Sequence, residues 1–265
     1  MSGNNIIAGG SGKDGRPVTG GTDTELDFAS LLKRLPSAQK SAKGAPAYSR
    51  FVNRRAGGYL AVIAYRLGLT PNQVTIISAL CTGLGIALIA ILPPSAGEGV
   101  VICLALVIGY ALDAADGQLA RLRGGGSVAG EWLDHVIDSA KIASLHLAVL
   151  IAGYRYFHLP VGWLLVPLGY SAVATVSFFA MTLNDQLRRN QGLPGQTVRP
   201  ATRPSTLRSL LVIPTDYGLF CLVFLLWGAR DVYAVLYGLL FVANAAFLAL
   251  ALRKWFGDMR ALEDR

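Results

Sequence analysis

The sequence predicts an all-α integral membrane protein with six transmembrane helices, preceded by an N-terminal amphipathic helix at the membrane interface. Of its 265 residues, 53% are hydrophobic and only 15% are charged, and its mean hydropathy is +0.47. Soluble globular domains rarely combine such values, since about 25% of their residues are charged. Six long apolar segments and an uneven distribution of Lys and Arg lead to the same prediction.

The first 69 residues divide into two parts. Residues 1–30 are rich in Gly, Ser, Thr and Asn and lack the apolar region of a signal peptide, so we expect a disordered tail. Residues 31–69 are basic, and within 48–69 apolar residues mix with arginines. This pattern favours an amphipathic helix in the headgroup region, where arginines meet lipid phosphates. An ordinary juxtamembrane linker is the alternative.

Residues 70–255 form the predicted membrane domain, and residues 256–265 a cytoplasmic tail. Thr70-Pro71-Asn72 indicates a helix start, because Pro loses no needed N–H there and Thr or Asn can cap free amides. A helix needs roughly 20 residues to cross about 30 Å of hydrocarbon. Six apolar segments meet that length: 74–92, 99–123, 131–152, 161–183, 210–227 and 232–252.

Lys and Arg lie mainly on one side of these spans. The predicted cytoplasmic segments contain 21 of them, and the opposite side has only Arg155 and Arg230. This positive-inside pattern predicts that both termini face the cytoplasm. The protein would lie in the cell membrane with its active site facing the cytoplasm. The net charge of +8 follows the same topology, and no RNA or DNA motif accompanies it, so we expect no nucleic-acid partner.

Aromatic residues concentrate near the predicted outer ends of the spans. This placement predicts an interfacial belt rather than a binding site. His146 and His158 have no partner in any motif. The belt residues would be Tyr154, Tyr156, Phe157, Trp163, Trp227 and Tyr233.

Four carboxylates occur within the second and third spans, where an Asp costs about 2.5–3.5 kcal/mol at mid-membrane. Their spacing is i,i+3 on one helix and i,i+4 on the next, so each pair lies on one helix face. The short turn at residues 124–126, three glycines, makes the two helices antiparallel neighbours. All four acids should therefore converge on the cytoplasmic side; they are Asp113, Asp116, Asp134 and Asp138.

Four converging carboxylates repel one another, and no comparable set of basic residues occurs at that depth. A hard divalent cation is therefore the natural counter-ion, and carboxylate oxygens suit Mg²⁺ or Mn²⁺. Small residues near the acids permit close helix packing, the role we assign to Gly109. A cation channel or proton-coupled transporter would also place acids within the membrane, and this is the remote alternative.

The acidic stretch carries a longer pattern with eight fixed positions. It resembles the signature of the CDP-alcohol phosphotransferase family, DxxDGxxARx(8)GxxxDxxxD, at every one of them. The Thr70-Pro71-Asn72-x-x-Thr75 segment and the six-span layout are also similar to the family, so the resemblance covers roughly residues 48–255. The stretch reads Asp113-x-x-Asp116-Gly117-x-x-Ala120-Arg121, eight residues, then Gly130-x-x-x-Asp134-x-x-x-Asp138.

The resemblance implies an enzyme that moves a phosphoryl-linked group from a cytidine nucleotide to an alcohol. Two divalent ions, Mg²⁺ or Mn²⁺, would be bound, and Asp138 would be the base that takes the acceptor hydroxyl proton. A homodimer is also implied. The metal ligands would be Asp113, Asp116, Asp134 and Asp138, and the nucleotide would lie against Asp113, Gly117, Ala120, Arg121 and Gly130.

The substrates stay open at this point. CDP-diacylglycerol is the family's common donor and implies a phosphatidyltransferase of phospholipid synthesis that releases CMP; a CDP-linked soluble alcohol, transferred to a lipid or polyol, is the alternative. Lys141 lies on the same helix face as Asp138, where it could neutralise an acid, and Arg203 and Arg208 lie in the predicted loop 184–209. Alternatively, these three could bind a phosphorylated acceptor. The competing interpretation is that the arginines only follow the positive-inside rule.

Overall fold

The computed structural model describes Leu31 and residues 46–193 and 213–263, and this part of the chain is helical, without strands. A π-helical turn, Ser49–Asn53, precedes α1, and 3₁₀ turns at Val161–Leu164, Ile213–Thr215 and Phe224–Leu226 adjoin α5 and α6. The predicted all-α class is confirmed. The α-helices are α1 (Arg54–Arg66), α2 (Pro71–Ile91), α3 (Ala96–Leu122), α4 (Val128–Tyr156), α5 (Leu165–Asn190), α6 (Tyr217–Val223) and α7 (Arg230–Glu263).

Local sequence signals begin the helices that carry the site. At α2, the Thr70 N–H donates to Gln73 Oε1 (2.8 Å) and the Gln73 N–H donates to Thr70 Oγ1 (3.3 Å), a reciprocal capping box. At α4, Ser127 Oγ accepts a hydrogen bond from a main-chain N–H three residues on (3.0 Å). Between α3 and α4, Gly124 and Gly125 have φ of +94° and +140°, which glycine adopts readily. The predicted helix start and glycine turn are both confirmed.

Five helices are long and apolar enough to cross a membrane: α2, α3, α4, α7, and α5 with its preceding turn. The predicted span 210–227 differs. Its described part is a ten-residue apolar helix, Tyr217–Leu226, shorter than the roughly 20 residues of a full crossing. Asp216 begins this helix by accepting a hydrogen bond from the Gly218 N–H (3.1 Å). The six-span count and the side on which the termini lie remain predictions.

The residues on either side of this short helix contact the bundle at two well-separated points along its length. Before it, Pro214 O accepts a hydrogen bond from Asn244 Nδ2 (2.9 Å). After it, Gly228 packs so closely on the start of α3 that a Cβ there would lie 2.6 Å from Ala96 N. Asn244 lies 14 residues beyond the start of α7 at Arg230, or about 21 Å along the helix axis. The residues from 214 to 228 therefore extend over about 21 Å of the length of the bundle.

Helix α1 packs against the half of α3 that carries the acids. A Cβ at Gly57 would lie 2.8 Å from the Cβ of Ala114, and Gln118 Nε2 donates to Arg54 O (3.1 Å). The opposite face is open, with Tyr59 55% exposed. The predicted amphipathic helix is thus present, and its position at a membrane interface remains a prediction. Residues 1–30 and 32–45, including the predicted tail, lie outside the described residues.

The largest core cluster is rich in aromatic rings. Trp227 and Tyr233 are fully buried with ring centroids 4.8 Å apart, and Phe157 lies 5.4 Å from Trp227. The predicted interfacial belt is therefore wrong for these three residues. Their rings pack against one another where α4 ends and α7 begins, so they lie in the protein core. Tyr154, at 77% exposure, faces outward as predicted.

His146 has partners that its sequence context did not reveal. Its Nδ1 lies 2.7 Å from the hydroxyl oxygen of Tyr237, and its ring stacks on Tyr170 with centroids 4.0 Å apart. Asn244 Nδ2 in turn donates to the Tyr170 hydroxyl (2.9 Å). This buried polar network joins α4, α5 and α7.

Helix α2 packs along both acid-bearing helices, whereas α3 and α4 approach each other closely at few points. Gly109 makes the α2–α3 contact possible, because a Cβ there would collide with the Thr82 hydroxyl. Ser78 Oγ also donates to Gly109 O (2.8 Å). The packing role predicted for Gly109 is confirmed. The backbones of α3 and α4 therefore lie apart along most of their length.

Candidate metal and nucleotide site

Three of the four signature carboxylates meet between α3 and α4. Asp113, Asp134 and Asp138 each offer one oxygen, and these oxygens lie within 4.8 Å of one another. All three side chains are half-buried, which leaves them accessible from one side. Their convergence follows from the i,i+4 spacing on α4 and from the turn that returns the chain beside α3.

Asp116 faces a different neighbour and lies outside this group of three. It is only 6% exposed, and its Oδ2 accepts a hydrogen bond from Thr75 Oγ1 (2.6 Å) on α2. The same Thr75 hydroxyl lies 3.1 Å from Pro71 O, four residues earlier. The role predicted for Asp116 as a metal ligand therefore stays a prediction.

Lys141 brings a positive charge into the acidic cluster. Its Nζ donates to Asp113 Oδ1 (2.7 Å), to Asp138 Oδ1 (3.2 Å) and to Ser78 Oγ (3.2 Å). The side chain is 13% exposed. One ammonium thus connects three helices at the acids, α2 through Ser78, α3 through Asp113 and α4 through Asp138.

The donor set suits a hard divalent cation. Each Mg–O bond is about 2.1 Å, so oxygens around Mg²⁺ lie about 3.0 Å apart when adjacent and about 4.2 Å apart when opposite. The oxygens of Asp113, Asp134 and Asp138 lie within 4.8 Å of one another, so side-chain rotations that draw them together would bring them to those spacings. Carboxylates are also the ligand type that Mg²⁺ and Mn²⁺ prefer. The residues present therefore fit such an ion.

The small residues predicted to contact the nucleotide have unequal surroundings. A Cβ at Gly117 would meet nothing closer than Arg121 Nη1, at 3.4 Å. A Cβ at Gly130 would instead lie 2.9 Å from Asn72 Oδ1 at the start of α2. Ala120 lies beside the glycine turn, with its Cβ 3.9 Å from a Cβ built at Gly126. Gly130 thus has a packing reason to be small, and Gly117 has free space beside it.

A stripe of hydroxyl residues on α2 was missed from the sequence. Thr75, Ser78 and Thr82 recur at helical spacing and are all buried toward α3 and the acids. Thr75 contacts Asp116, and Ser78 contacts Lys141. The signal was available as three hydroxyls at i, i+3 and i+7 in an otherwise apolar helix.

An ion pair near the site connects the start of α4 to the end of α5. Arg189 Nη1 lies 2.5 Å from Glu131 Oε1. His135 lies 3.9 Å from both Glu131 and Asp134 carboxylates. Arg203 and Arg208, predicted to contact the acceptor, lie outside the described residues.

Two proteins of known activity match parts of the chain. Cholinephosphotransferase 1 of Xenopus laevis is 35% identical over 104 residues, which are 37% of this chain and 25% of that protein. Archaetidylinositol phosphate synthase of Pyrococcus horikoshii is 38% identical over 87 residues, 33% of this chain and 44% of that protein. The chain thus spans less than half the length of these two relatives.

Two crystal structures of the phosphatidylinositol phosphate synthase of Mycobacterium tuberculosis superpose on the chain with a TM-score of 0.48 each. The complex with manganese and citrate has 23% identity and covers 74% of this chain and 87% of its own. The structure with CDP-DAG bound has 21% identity and covers 77% of this chain and 94% of its own. The sequence profile of the CDP-alcohol phosphatidyltransferases matches residues 68–251, more than half of the chain. The chain therefore belongs to the CDP-alcohol phosphatidyltransferase family.

Proposed function

We propose that the protein is a metal-dependent phosphatidyltransferase, which moves phosphatidyl from CDP-diacylglycerol to an alcohol and releases CMP in phospholipid synthesis. The observation that carries the proposal is the convergence of Asp113, Asp134 and Asp138 within a stretch that has the family's spacing. The reaction would take place in the cell membrane, at its cytoplasmic face. A homodimer is the assembly that family membership favours.

In this proposal Asp138 takes the proton of the acceptor hydroxyl. The hydroxyl oxygen forms a bond to the lipid-bearing phosphorus, and the bond from that phosphorus to the bridging oxygen breaks. CMP leaves with the bridging oxygen, and the proton stays on the Asp138 carboxylate. Two Mg²⁺ or Mn²⁺ ions, bound by Asp113, Asp116, Asp134 and Asp138, would supply charge stabilisation for the pyrophosphate.

The nucleotide would lie along α3. The free space beside Gly117 supports this assignment, since a ligand could approach the helix backbone there. Ala120 and Gly130 would complete the small-residue surface. Arg121, whose guanidinium borders the space at Gly117, would contact a nucleotide phosphate.

A second donor class has support from one relative. The match to a cholinephosphotransferase favours a CDP-linked soluble alcohol as the second candidate donor. The match to an archaetidylinositol phosphate synthase favours instead a CDP-linked lipid and a phosphorylated acceptor. A phosphorylated acceptor would meet positive charge from Lys141, Arg203 and Arg208, although the last two lie outside the described residues.

The test uses the full chain purified in detergent and supplied with labelled CDP-diacylglycerol or CDP-choline and a panel of alcohols. We expect CMP release and a phospholipid product from CDP-diacylglycerol with Mg²⁺ or Mn²⁺. Excess EDTA should abolish the reaction, and added metal should restore it. An Asp113→Asn and Asp134→Asn double variant controls for contaminating activity. Full turnover in EDTA would contradict metal dependence, and product from CDP-choline alone would select the second donor class.

A further inference from the structure

Lys141 interacts with two of the residues that would hold a metal. Its Nζ lies 2.7 Å from Asp113 Oδ1 and 3.2 Å from Asp138 Oδ1, with Ser78 Oγ as a third partner at 3.2 Å. The side chain is largely buried. The carboxylates are thus already bonded to one cation that the chain itself provides.

An ammonium and a divalent ion compete for these oxygens. Two cations a few ångströms apart repel each other, and the repulsion is stronger away from bulk water. Without a cation, however, the half-buried acids would repel one another. The metal-free cluster therefore needs positive charge beside Asp113 and Asp138, and the Lys141 ammonium supplies it. The Lys side chain suits exchange, since it carries a compact charge on a flexible four-carbon stem.

We propose that Lys141 is an exchangeable counter-ion, which holds Asp113 and Asp138 together before metal binds and leaves them when the metal arrives. The proposal rests on the proposed metal-dependent function and concerns how the site is loaded. The ammonium lowers metal affinity in the free enzyme, and its release frees a positive charge beside the site for a substrate phosphate. Lys141 is thus a positioning residue in the unloaded state.

The test is direct Mn²⁺ binding, measured by the electron paramagnetic resonance of free Mn²⁺ with the detergent-purified full chain. We expect Lys141→Met and Lys141→Gln to lower the Kd for Mn²⁺ by at least about tenfold, because the competing charge is gone. Lys141→Arg keeps the charge and should stay within about threefold of the wild type. Lys254→Met, at an exposed lysine of α7, is the matched control and should change nothing.

Unchanged or weaker Mn²⁺ binding by the neutral variants would overturn the proposal. If these variants are recovered only when Mn²⁺ is present throughout purification, the metal replaces the ammonium, as proposed. If they are not recovered even then, the lysine is needed beside the metal and the proposal is wrong. CMP release measured on the same preparations separates the two proposals. If the Lys141 variants show the expected Kd shift but the wild type has no transferase activity, the proposed function is refuted and the exchange of ammonium for metal still stands.

Discussion

The Thr75 hydroxyl on α2 donates a 2.6 Å hydrogen bond to Oδ2 of Asp116 on α3. Both residues are buried, at 4% and 6% exposure. The bond therefore fixes the orientation of a signature carboxylate from a neighbouring helix. It also couples the helix that begins at Pro71 to the acidic site.

Replacing Thr75 tests this coupling. Thr75→Val keeps the shape but removes the donor, and a buried acceptor left without its partner costs about 1–3 kcal/mol. We expect kcat/KM for CMP release to fall about tenfold or more, because Asp116 would no longer be held in one orientation at the site. Thr75→Ser retains the hydroxyl and should keep most of the activity. Equal activity in the Val and Ser variants would show that the hydrogen bond does not matter for the reaction.

The roles of the acids can be separated by Asp→Asn variants. If Asp138 is the base, Asp138→Asn should lower kcat by about 10²–10⁴-fold, the usual contribution of a general base, while CDP-donor binding largely persists. Asp113→Asn should also weaken Mn²⁺ binding, because it removes a carboxylate ligand. Initial rates and donor titrations measure both effects. A near-normal kcat in Asp138→Asn would exclude it as the base.

Gly117→Ala tests the nucleotide surface without disturbing the fold. The added methyl would meet no protein atom closer than 3.4 Å, so thermal stability should be unchanged or slightly improved. A nucleotide lying against the helix would instead meet the methyl, and the donor KM should rise about tenfold or more. Gly83→Ala is the matched control, since a Cβ there has nothing within 4 Å. A donor KM equal to that of the control would remove Gly117 from the nucleotide site.

Arg208 tests the acceptor hypothesis. Guanidinium binds phosphate in a bidentate manner, so Arg208→Ala should raise the KM of a phosphorylated acceptor while the donor KM changes little. Arg260→Ala, in the last helix, removes a comparable positive charge and should have no such effect. Steady-state rates with the acceptor varied measure the difference. Faster turnover of an unphosphorylated alcohol than of every phosphorylated acceptor would rule out this role.

The acidic cluster could be predicted because its information is local. The spacing of Asp134 and Asp138 selects one face of α4, and two glycines with positive φ return the chain beside α3. The same spacing did not show that Asp116 would be bonded to Thr75. That contact depends on how α2 rotates against α3, which no single segment encodes.

The hydroxyl stripe of α2 was missed for a chemical reason. A Thr or Ser in a helix can bond a carbonyl of the preceding turn, as Thr75 does with Pro71 O, so it lowers the hydropathy of a span very little. The stripe therefore lies within a segment that looks uniformly apolar. Its partners, Asp116 and Lys141, become visible only once the helices are assembled.

The aromatic belt was partly wrong and the fifth span stays a prediction, for related reasons. Aromatic rings suit both a membrane interface and a protein core. The position of a residue along a span does not show whether its side of the helix faces lipid or protein. Hydropathy likewise counts apolar residues without locating a break. Pro214 and Asp216 interrupt the apolar segment, so the described helix begins only at Tyr217.

The start of α4 determines how the site responds to insertions and deletions. Ser127 fixes where α4 begins by accepting the hydrogen bond of the Gly130 N–H, and Asp134 and Asp138 follow at set positions along that helix. One residue inserted between Gly130 and Asp134 would turn both carboxylates by about 100° around the helix axis. Every reactive group would still be present, yet the carboxylates of α4 would no longer point toward Asp113. A change of length can thus inactivate this site as completely as the loss of an acid.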